Sequence, residues 1–184
     1  MAYHADATDL TDKEILTWEG FGAASRDLSQ AVVDTGFDPQ CIIAVARGGL
    51  TLAGAMTYAL GVKLTDAINV EFYTDVNQTL TDPVLLAPML DTDSIAGQRI
   101  LVVDDVADSG RTLGLVIKLL RGFGAEVRSA VLYAKPRTVV QPDFIWKSTD
   151  QWIVFPWSDQ PPEQRGESWQ RPATSTPPTP PTTS

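Results

Sequence analysis

The chain has 184 residues, 43% of them hydrophobic, which suits one globular domain with a full core. Its formal net charge of -9 argues against a nucleic-acid surface, which would need clustered Lys and Arg residues. A single cysteine, Cys41, excludes an intramolecular disulfide and a cysteine-rich zinc site. Because the sequence has no signal-peptide pattern and no stretch approaching ~18 apolar residues, we expect a cytoplasmic protein without membrane contact.

The N-terminal residues are polar, and we expect residues 1–14 to form a loose segment. His4 is the only histidine and lies in that segment, so the sequence argues against histidine acid/base catalysis. Apolar residues then recur at helical spacing from Trp18 to Asp34, and the pattern stops at Gly36. This spacing predicts an amphipathic helix that packs on a sheet.

The first buried strand is predicted at Cys41 to Ala46, where all residues are apolar and the thiol is expected to be packed. The strand leads into Arg47-Gly48-Gly49 and then a helix from about Leu50 to Leu60. A glycine turn between a strand and a helix start is typical of phosphate-binding loops. The same pattern is equally consistent with a tight turn that has no ligand.

A further strand is predicted from Leu64 to Tyr73, followed by a long polar segment with two prolines from Thr74 to Gln98. Connections of this length are usually functional lids or disordered segments. Six acidic residues and no Lys or Arg occur between Leu64 and Gln98. The segment therefore offers no cation to an anionic ligand.

The central motif is Ile100 to Leu113, where an apolar strand runs into Asp104-Asp105, a Ser/Gly turn and a helix from Thr112 to about Arg121. Ligands of open parallel sheets bind beyond the carboxyl ends of the strands, so the two carboxylates lie where sugar hydroxyls could bind. The turn from Asp108 offers backbone N–H groups and a helix dipole to a phosphate dianion. Together they predict a ribose 5-phosphate site. The alternative is a metal-binding or purely structural acidic turn.

Two later segments carry candidate base-binding groups. A strand is predicted from Glu126 to Ala134, and Lys135 at its carboxyl end could donate to an exocyclic oxygen of a base or simply be solvated. Trp152 is the candidate for stacking on a purine ring, an interaction worth ~1 to 3 kcal/mol. We assign Phe155 and Trp157 to core packing.

The C-terminal residues 159–184 are rich in Pro, Thr and Ser. Such a composition does not bury enough apolar area to order itself, so we expect a disordered tail.

The segment Val-Val-Asp-Asp-Val-Ala-Asp-Ser-Gly-Arg-Thr resembles the signature of the type I phosphoribosyltransferases. The motifs Ala-Arg-Gly-Gly-Leu, Ala-Lys-Pro and Trp-Ile-Val-Phe-Pro-Trp extend the resemblance over about residues 15–158, and it is closest to the bacterial xanthine-guanine branch. It implies an α/β fold with a doubly wound, mostly parallel sheet, a domain over 15–158 and a mobile hood loop over the active site. It also implies that the turn after Ala46 frequently contains a cis peptide bond.

The resemblance further implies a purine salvage enzyme that transfers ribose 5-phosphate from phosphoribosyl diphosphate to guanine, xanthine or hypoxanthine and uses Mg²⁺. Asp105 would also hold the metal, and Asp108 would be the general base at purine N7. Lys135, Trp152 and Ile153 would contact the base. The residues that would bind phosphoribosyl diphosphate are Arg47, Gly48, Asp104, Asp105, Ala107, Asp108, Ser109, Gly110, Arg111 and Thr112.

Some points stay open. The hood loop of the resembled enzymes has an arginine where this chain has Thr79, so that contact is absent or supplied from elsewhere. A phosphoribosyltransferase for another base is one alternative, and a non-catalytic regulator that senses phosphoribosyl diphosphate and binds nucleic acid is a second, which the negative charge disfavours. The resemblance implies a homo-oligomer.

Overall fold

The structure is a computed structural model, and it describes residues 12–71, 74–75, 78–79, 84–85 and 95–161. The three helices described are α1 (Trp18–Asp34), α2 (Gly49–Leu60) and α3 (Arg111–Gly122). The strands described are β1 (Lys13–Ile15), β2 (Cys41–Ala46), β3 (Leu64–Glu71), β4 (Thr74–Asp75), β5 (Gln78–Thr79), β6 (Val84–Leu85), β7 (Arg99–Ala107), β8 (Glu126–Ala134), β9 (Phe144–Ser148) and β10 (Trp152–Val154).

The central sheet has six strands in the order β6-β3-β2-β7-β8-β9. The five strands from β3 to β9 in that order are parallel, and only β6 at the edge is antiparallel. Helices α1 and α2 share a hydrophobic cluster with one face of the sheet, whereas α3 packs on the other face. The predicted α/β fold with a doubly wound, mostly parallel sheet is therefore confirmed.

The strands β2 and β7 are buried on both faces, which explains their uninterrupted apolar sequences. In β2, Ile42 faces the cluster under α1 and α2, whereas Ile43 faces the cluster under α3. In β7, Leu101 likewise faces the cluster under α1 and α2, and Val102 faces the cluster under α3. The two strands pair in parallel from Cys41 opposite Ile100, so their carboxyl ends reach the same edge of the sheet.

Strand β7 continues to Ala107, beyond the point where the sequence predicted a loop, because it stays paired with β8. Strand β9 was not predicted; it adds to β8 in parallel at the edge of the sheet.

The predicted loose segment over residues 1–14 is wrong at Lys13 and Glu14. These residues belong to β1, which pairs in parallel with β10. Glu14 also accepts a hydrogen bond from Lys147 Nζ of β9 at 2.7 Å, so a side-chain contact joins β1 to the central sheet.

Two predictions fall outside the described residues. Of the predicted hood segment, only the short strands β4, β5 and β6 and residues 95–98 are described, and the predicted tail is not described beyond residue 161. Among the helices that are described, none has the length and apolar character needed to span a membrane.

Candidate active site

Two loops meet at the carboxyl edge of the sheet, one between β2 and α2 and one between β7 and α3. The peptide bond between Ala46 and Arg47 is cis, as the resemblance implied. Gly48 lies so close to β7 that a Cβ atom there would overlap the Asp105 carboxylate. A Cβ atom at Gly49 would likewise overlap the carbonyl oxygen of Val103. Only glycine allows this approach, and it places the Arg47 turn directly against the acidic pair.

Asp104 and Asp105 are partly buried, and the Asp105 backbone N–H donates to Asp104 Oδ1 at 2.9 Å. Burial raises the pKa of the Asp104 carboxyl well above its usual range, and the neighbouring Asp105 charge raises it further. Burial also raises the pKa of Asp105, although hydrogen bonds from Asp104 and the backbone oppose the shift. Hydroxyl donors or a cation near this pair would stabilise its ionised form.

The donor set fits Mg²⁺ in kind, because carboxylate oxygens are the ligands that this ion prefers. No group of three or more His, Cys, Asp or Glu side chains comes together in the part of the chain that is described. Two carboxylates suit an ion that takes its other ligands from substrate phosphates and water, as Mg²⁺ usually does.

The turn from Asp108 to Thr112 forms the N-terminus of α3. Gly110 has φ +74°, a left-handed conformation that L residues rarely adopt. As the N-cap residue, Gly110 has no side chain with which to cap this helix end. Ser109 Oγ accepts from the Arg111 N–H at 3.4 Å. The turn has the backbone geometry of an anion-binding nest.

The connection that follows β8 packs against this nest. The Lys135 N–H donates to the Ala107 carbonyl at 2.9 Å, and the Val139 N–H donates to the Ser109 carbonyl at 2.9 Å. A Cβ atom at Gly110 would overlap Thr138 Oγ1, which shows how closely the two segments approach. The nest is therefore held from both sides by backbone contacts.

Asp108 forms an ion pair that the sequence did not predict. Arg137 Nε donates to Asp108 Oδ1 at 2.9 Å, and Arg137 Nη2 donates to the same oxygen. Both side chains are well exposed. The sequence signal for Arg137 was only a cation two residues after Lys135, which does not identify its partner 29 positions earlier.

The candidate base-binding residues also come together. Lys135 Nζ donates to the carbonyl oxygen of Gln151, the residue before Trp152. The Trp152 side chain is 50% exposed, whereas Ile153 is buried. Burial lowers the pKa of Lys135, and the nearby Asp108 charge opposes that shift. The lysine is thus close to both the nest and the aromatic strand β10.

Phe155 and Trp157 take part in core packing, as predicted: Phe155 is buried in the core, and Trp157 is partly buried against it. Phe155 and Trp157 stack with ring centroids 4.9 Å apart, and Phe21 of α1 packs edge-on against Trp157 at 5.4 Å. These rings anchor β10 to α1.

The structure thus places the predicted residues of the Arg47 turn, the acidic pair, the nest and Lys135 at one edge of the sheet, with Trp152 joined to them through Gln151. Arg47 and Arg111 are exposed there, and Ala107 is buried beneath the nest. Their roles in binding stay predictions.

Comparison with known proteins agrees with this geometry. The model of the phosphoribosyl transferase domain family matches residues 11–163. A xanthine-guanine phosphoribosyltransferase of Nitratidesulfovibrio vulgaris strain Hildenborough is 34% identical over 147 residues, which cover 79% of this chain and 84% of that protein.

Two solved structures are also similar. The crystal structure of a purine phosphoribosyltransferase from Pyrococcus horikoshii has a TM-score of 0.72 and 36% identity, covering 84% of this chain and 100% of that one. The xanthine-guanine-hypoxanthine phosphoribosyltransferase of Helicobacter pylori has a TM-score of 0.68 and 26% identity, covering 79% and 94%.

Proposed function

This chain belongs to the phosphoribosyltransferase family as a purine phosphoribosyltransferase, and we propose that it transfers ribose 5-phosphate from phosphoribosyl diphosphate to a 6-oxopurine and releases pyrophosphate. The observation that carries the proposal is the contact between the Arg47 turn and the Asp104–Asp105 pair, beside the nest at the start of α3. One edge of the sheet thus offers groups for a diphosphate, a ribose and a 5-phosphate.

We assign the sugar and its phosphates as follows. Asp104 and Asp105 accept hydrogen bonds from the 2- and 3-hydroxyls, directly or through Mg²⁺. The N–H groups from Asp108 to Thr112 bind the 5-phosphate, helped by the dipole of α3. Arg47 binds the diphosphate, and its guanidinium forms no ion pair within the described residues. When bound at Asp105, Mg²⁺ would stabilise the charge of the departing pyrophosphate.

In the reaction, purine N9 attacks C1 of the ribose, and the bond between C1 and the diphosphate oxygen breaks with inversion. The electron pair of that bond leaves with pyrophosphate, while the proton on purine N7 moves to the Asp108 carboxylate. The two carboxylates beneath the sugar stabilise the positive charge that develops at C1. The product is a nucleoside 5-monophosphate.

The base pocket is assigned to Lys135, Trp152 and Ile153. An ammonium group has three donors, so Lys135 can keep its bond to the Gln151 carbonyl and still donate to the 6-oxo group. The exposed face of Trp152 stacks on the purine ring, and the backbone of Ile153 contacts the base edge.

A panel of bases tests this function. The protein is incubated with phosphoribosyl diphosphate, Mg²⁺ and guanine, xanthine, hypoxanthine, adenine or uracil, and pyrophosphate release is measured. We expect turnover with at least one 6-oxopurine and little with adenine or uracil. Turnover confined to uracil or adenine would contradict the proposed substrate, and binding without turnover would favour a regulator.

A further inference from the structure

We propose that Arg137 is a positioning residue that holds the Asp108 carboxylate in the orientation needed to receive the purine N7 proton. The inference rests on the proposed function, because it assigns a task to Arg137 through the proposed general base. It adds a residue that lies outside the signature motifs of the sequence.

The geometry of the pair favours orientation. Arg137 Nε and Nη2 both donate to Oδ1 of Asp108. Two donors on one oxygen fix the rotation of the carboxylate group more firmly than one would. Among the described residues, Oδ2 of Asp108 accepts no hydrogen bond. Arg137 therefore occupies one oxygen and leaves the other for the substrate proton.

The position of Arg137 relative to Asp108 is set by the backbone. Hydrogen bonds from Lys135 to Ala107 and from Val139 to Ser109 flank the ion pair on both sides, each 2.9 Å long. Asp108 lies between the two acceptors, and Arg137 lies midway between the two donors. The two backbone hydrogen bonds thus hold the two loops so that the Arg137 guanidinium lies against the Asp108 carboxylate.

A contribution to folding stability does not explain the ion pair between Arg137 and Asp108. The side chains are 71% and 52% exposed, and ion pairs between exposed side chains contribute little to folding. Lys135 is also close to Asp108, and it is attracted by Asp108 and repelled by Arg137. Lys135 Nζ donates to the Gln151 carbonyl, whereas Arg137 contacts the Asp108 carboxylate directly.

The test combines four variants with steady-state kinetics: Arg137→Ala, Arg137→Lys, Asp108→Asn and the double variant. Arg99→Ala is the matched control, since Arg99 forms an ion pair of 3.1 Å with Asp38 at the opposite end of β7. We expect Arg137→Ala to lower kcat about tenfold or more, because small misplacements of a reacting group are costly. The KM for phosphoribosyl diphosphate should stay within about threefold. The melting temperature should fall no further than that of the control, in which Arg99 Nε also donates to the Asp38 carbonyl at 2.6 Å.

Two further comparisons separate positioning from other roles. Arg137→Lys should restore part of kcat, because lysine keeps the charge but lacks the planar fork. The double variant should be no slower than Asp108→Asn, since Arg137 acts through Asp108.

A raised KM with unchanged kcat and additive effects would overturn the inference and make Arg137 a phosphate contact. An unchanged kcat in Arg137→Ala would overturn it while leaving the proposed function intact, provided that Asp108→Asn is slow. If Asp108→Asn keeps full turnover, the proposed base and this inference both fail.

Discussion

At the scale of single residues, Asp108 differs from the two carboxylates that precede it. Asp104 and Asp105 lie within β7 and have raised pKa values because of burial, whereas Asp108 follows the strand and is exposed. An exposed carboxylate is accessible to a substrate proton, while a buried pair is suited to holding hydroxyls or a metal ion. We therefore propose that the same side-chain type serves two tasks through its surroundings.

Replacing Asp108 with asparagine tests the first of these tasks. Asparagine keeps the size of the side chain and the backbone of the nest but does not accept a proton at neutral pH. Turnover should fall by ~10² or more, whereas binding of phosphoribosyl diphosphate should change by only several-fold. Single-turnover kinetics and calorimetric titration measure the two quantities. Equal turnover of variant and parent would remove Asp108 from the mechanism.

Lys135 should determine the choice between 6-oxopurines and adenine. A lysine donates but does not accept, so the 6-amino group of adenine, itself a donor, would not accept the hydrogen bond that a 6-oxo group accepts from Lys135. Lys135→Ala should therefore erode the preference for guanine over adenine, measured as the ratio of kcat/KM values, more than it raises the KM for phosphoribosyl diphosphate.

Trp152→Ala is the comparison for Lys135→Ala, because stacking depends on the face of the purine ring and not on the hydrogen-bonding groups at its edge. It should weaken all purines similarly. A Lys135→Ala variant with an unchanged preference for guanine, or efficient adenine turnover by the parent, would contradict this pocket.

At the scale of elements, the turn between β2 and α2 depends on glycine at position 48. Gly48→Ala would drive a Cβ atom into the Asp105 carboxylate, so kcat/KM for phosphoribosyl diphosphate should fall at least about tenfold. Gly54→Ala is the matched control in α2, since a Cβ atom there would meet no atom within 4 Å. That control should raise stability by ~0.5–1 kcal/mol with activity unchanged. Equal kinetics in the two variants would show that the close approach has no function.

The elements with strong periodic patterns were predictable from the sequence. The helix α1 and the strands β2 and β8 have the predicted bounds, because helical spacing and continuous apolar runs report burial directly. The strands β1 and β9 escaped prediction because tertiary pairing, rather than local pattern, holds them. Arg137 was missed for a similar reason, since an exposed cation in a loop carries no periodic signal.

At the scale of the whole molecule, net charge and site charge differ. The chain has a net charge of -9, yet Arg47, Arg111, Lys135 and Arg137 lie in or beside the loops at the carboxyl edge of the sheet. A local cluster of cations and backbone N–H groups can bind a polyanion even where the net charge of the chain is negative. The homo-oligomer implied by the resemblance stays a prediction, which light scattering in solution can check.

The thiol of Cys41 reports the integrity of the whole fold. Burial, helped by the charge of Asp66, raises its pKa from 9.0 to about 11. The thiolate is the reactive form, so the folded protein at pH 8 should have about one reactive thiol in a thousand, and labelling should accelerate roughly tenfold per pH unit up to pH ~10. The unfolded chain should instead level off above pH ~9.

The same shift gives the sign of the pH dependence of stability. Because folding disfavours the thiolate, this contribution to stability is present below the unfolded pKa and is lost as the pH rises through the folded value. Rates of labelling with a disulfide reagent, measured against pH with and without denaturant, give the pKa of the Cys41 thiol in the folded and unfolded chain. Equally fast labelling of native and denatured protein at pH 8 would contradict a packed thiol.

The central claim is that one edge of the sheet joins ribose 5-phosphate to a 6-oxopurine, and a competition between bases tests it most directly. The protein is given phosphoribosyl diphosphate, Mg²⁺ and equal amounts of guanine, xanthine, hypoxanthine and adenine, and the nucleotides and pyrophosphate formed are quantified by mass spectrometry and a phosphate assay. We expect 6-oxopurine nucleoside 5-monophosphates equal in amount to pyrophosphate, and a loss of both in Asp108→Asn but not in Arg99→Ala. Adenosine 5-monophosphate as the main product, or no nucleotide from an enzyme that binds phosphoribosyl diphosphate, would contradict the claim.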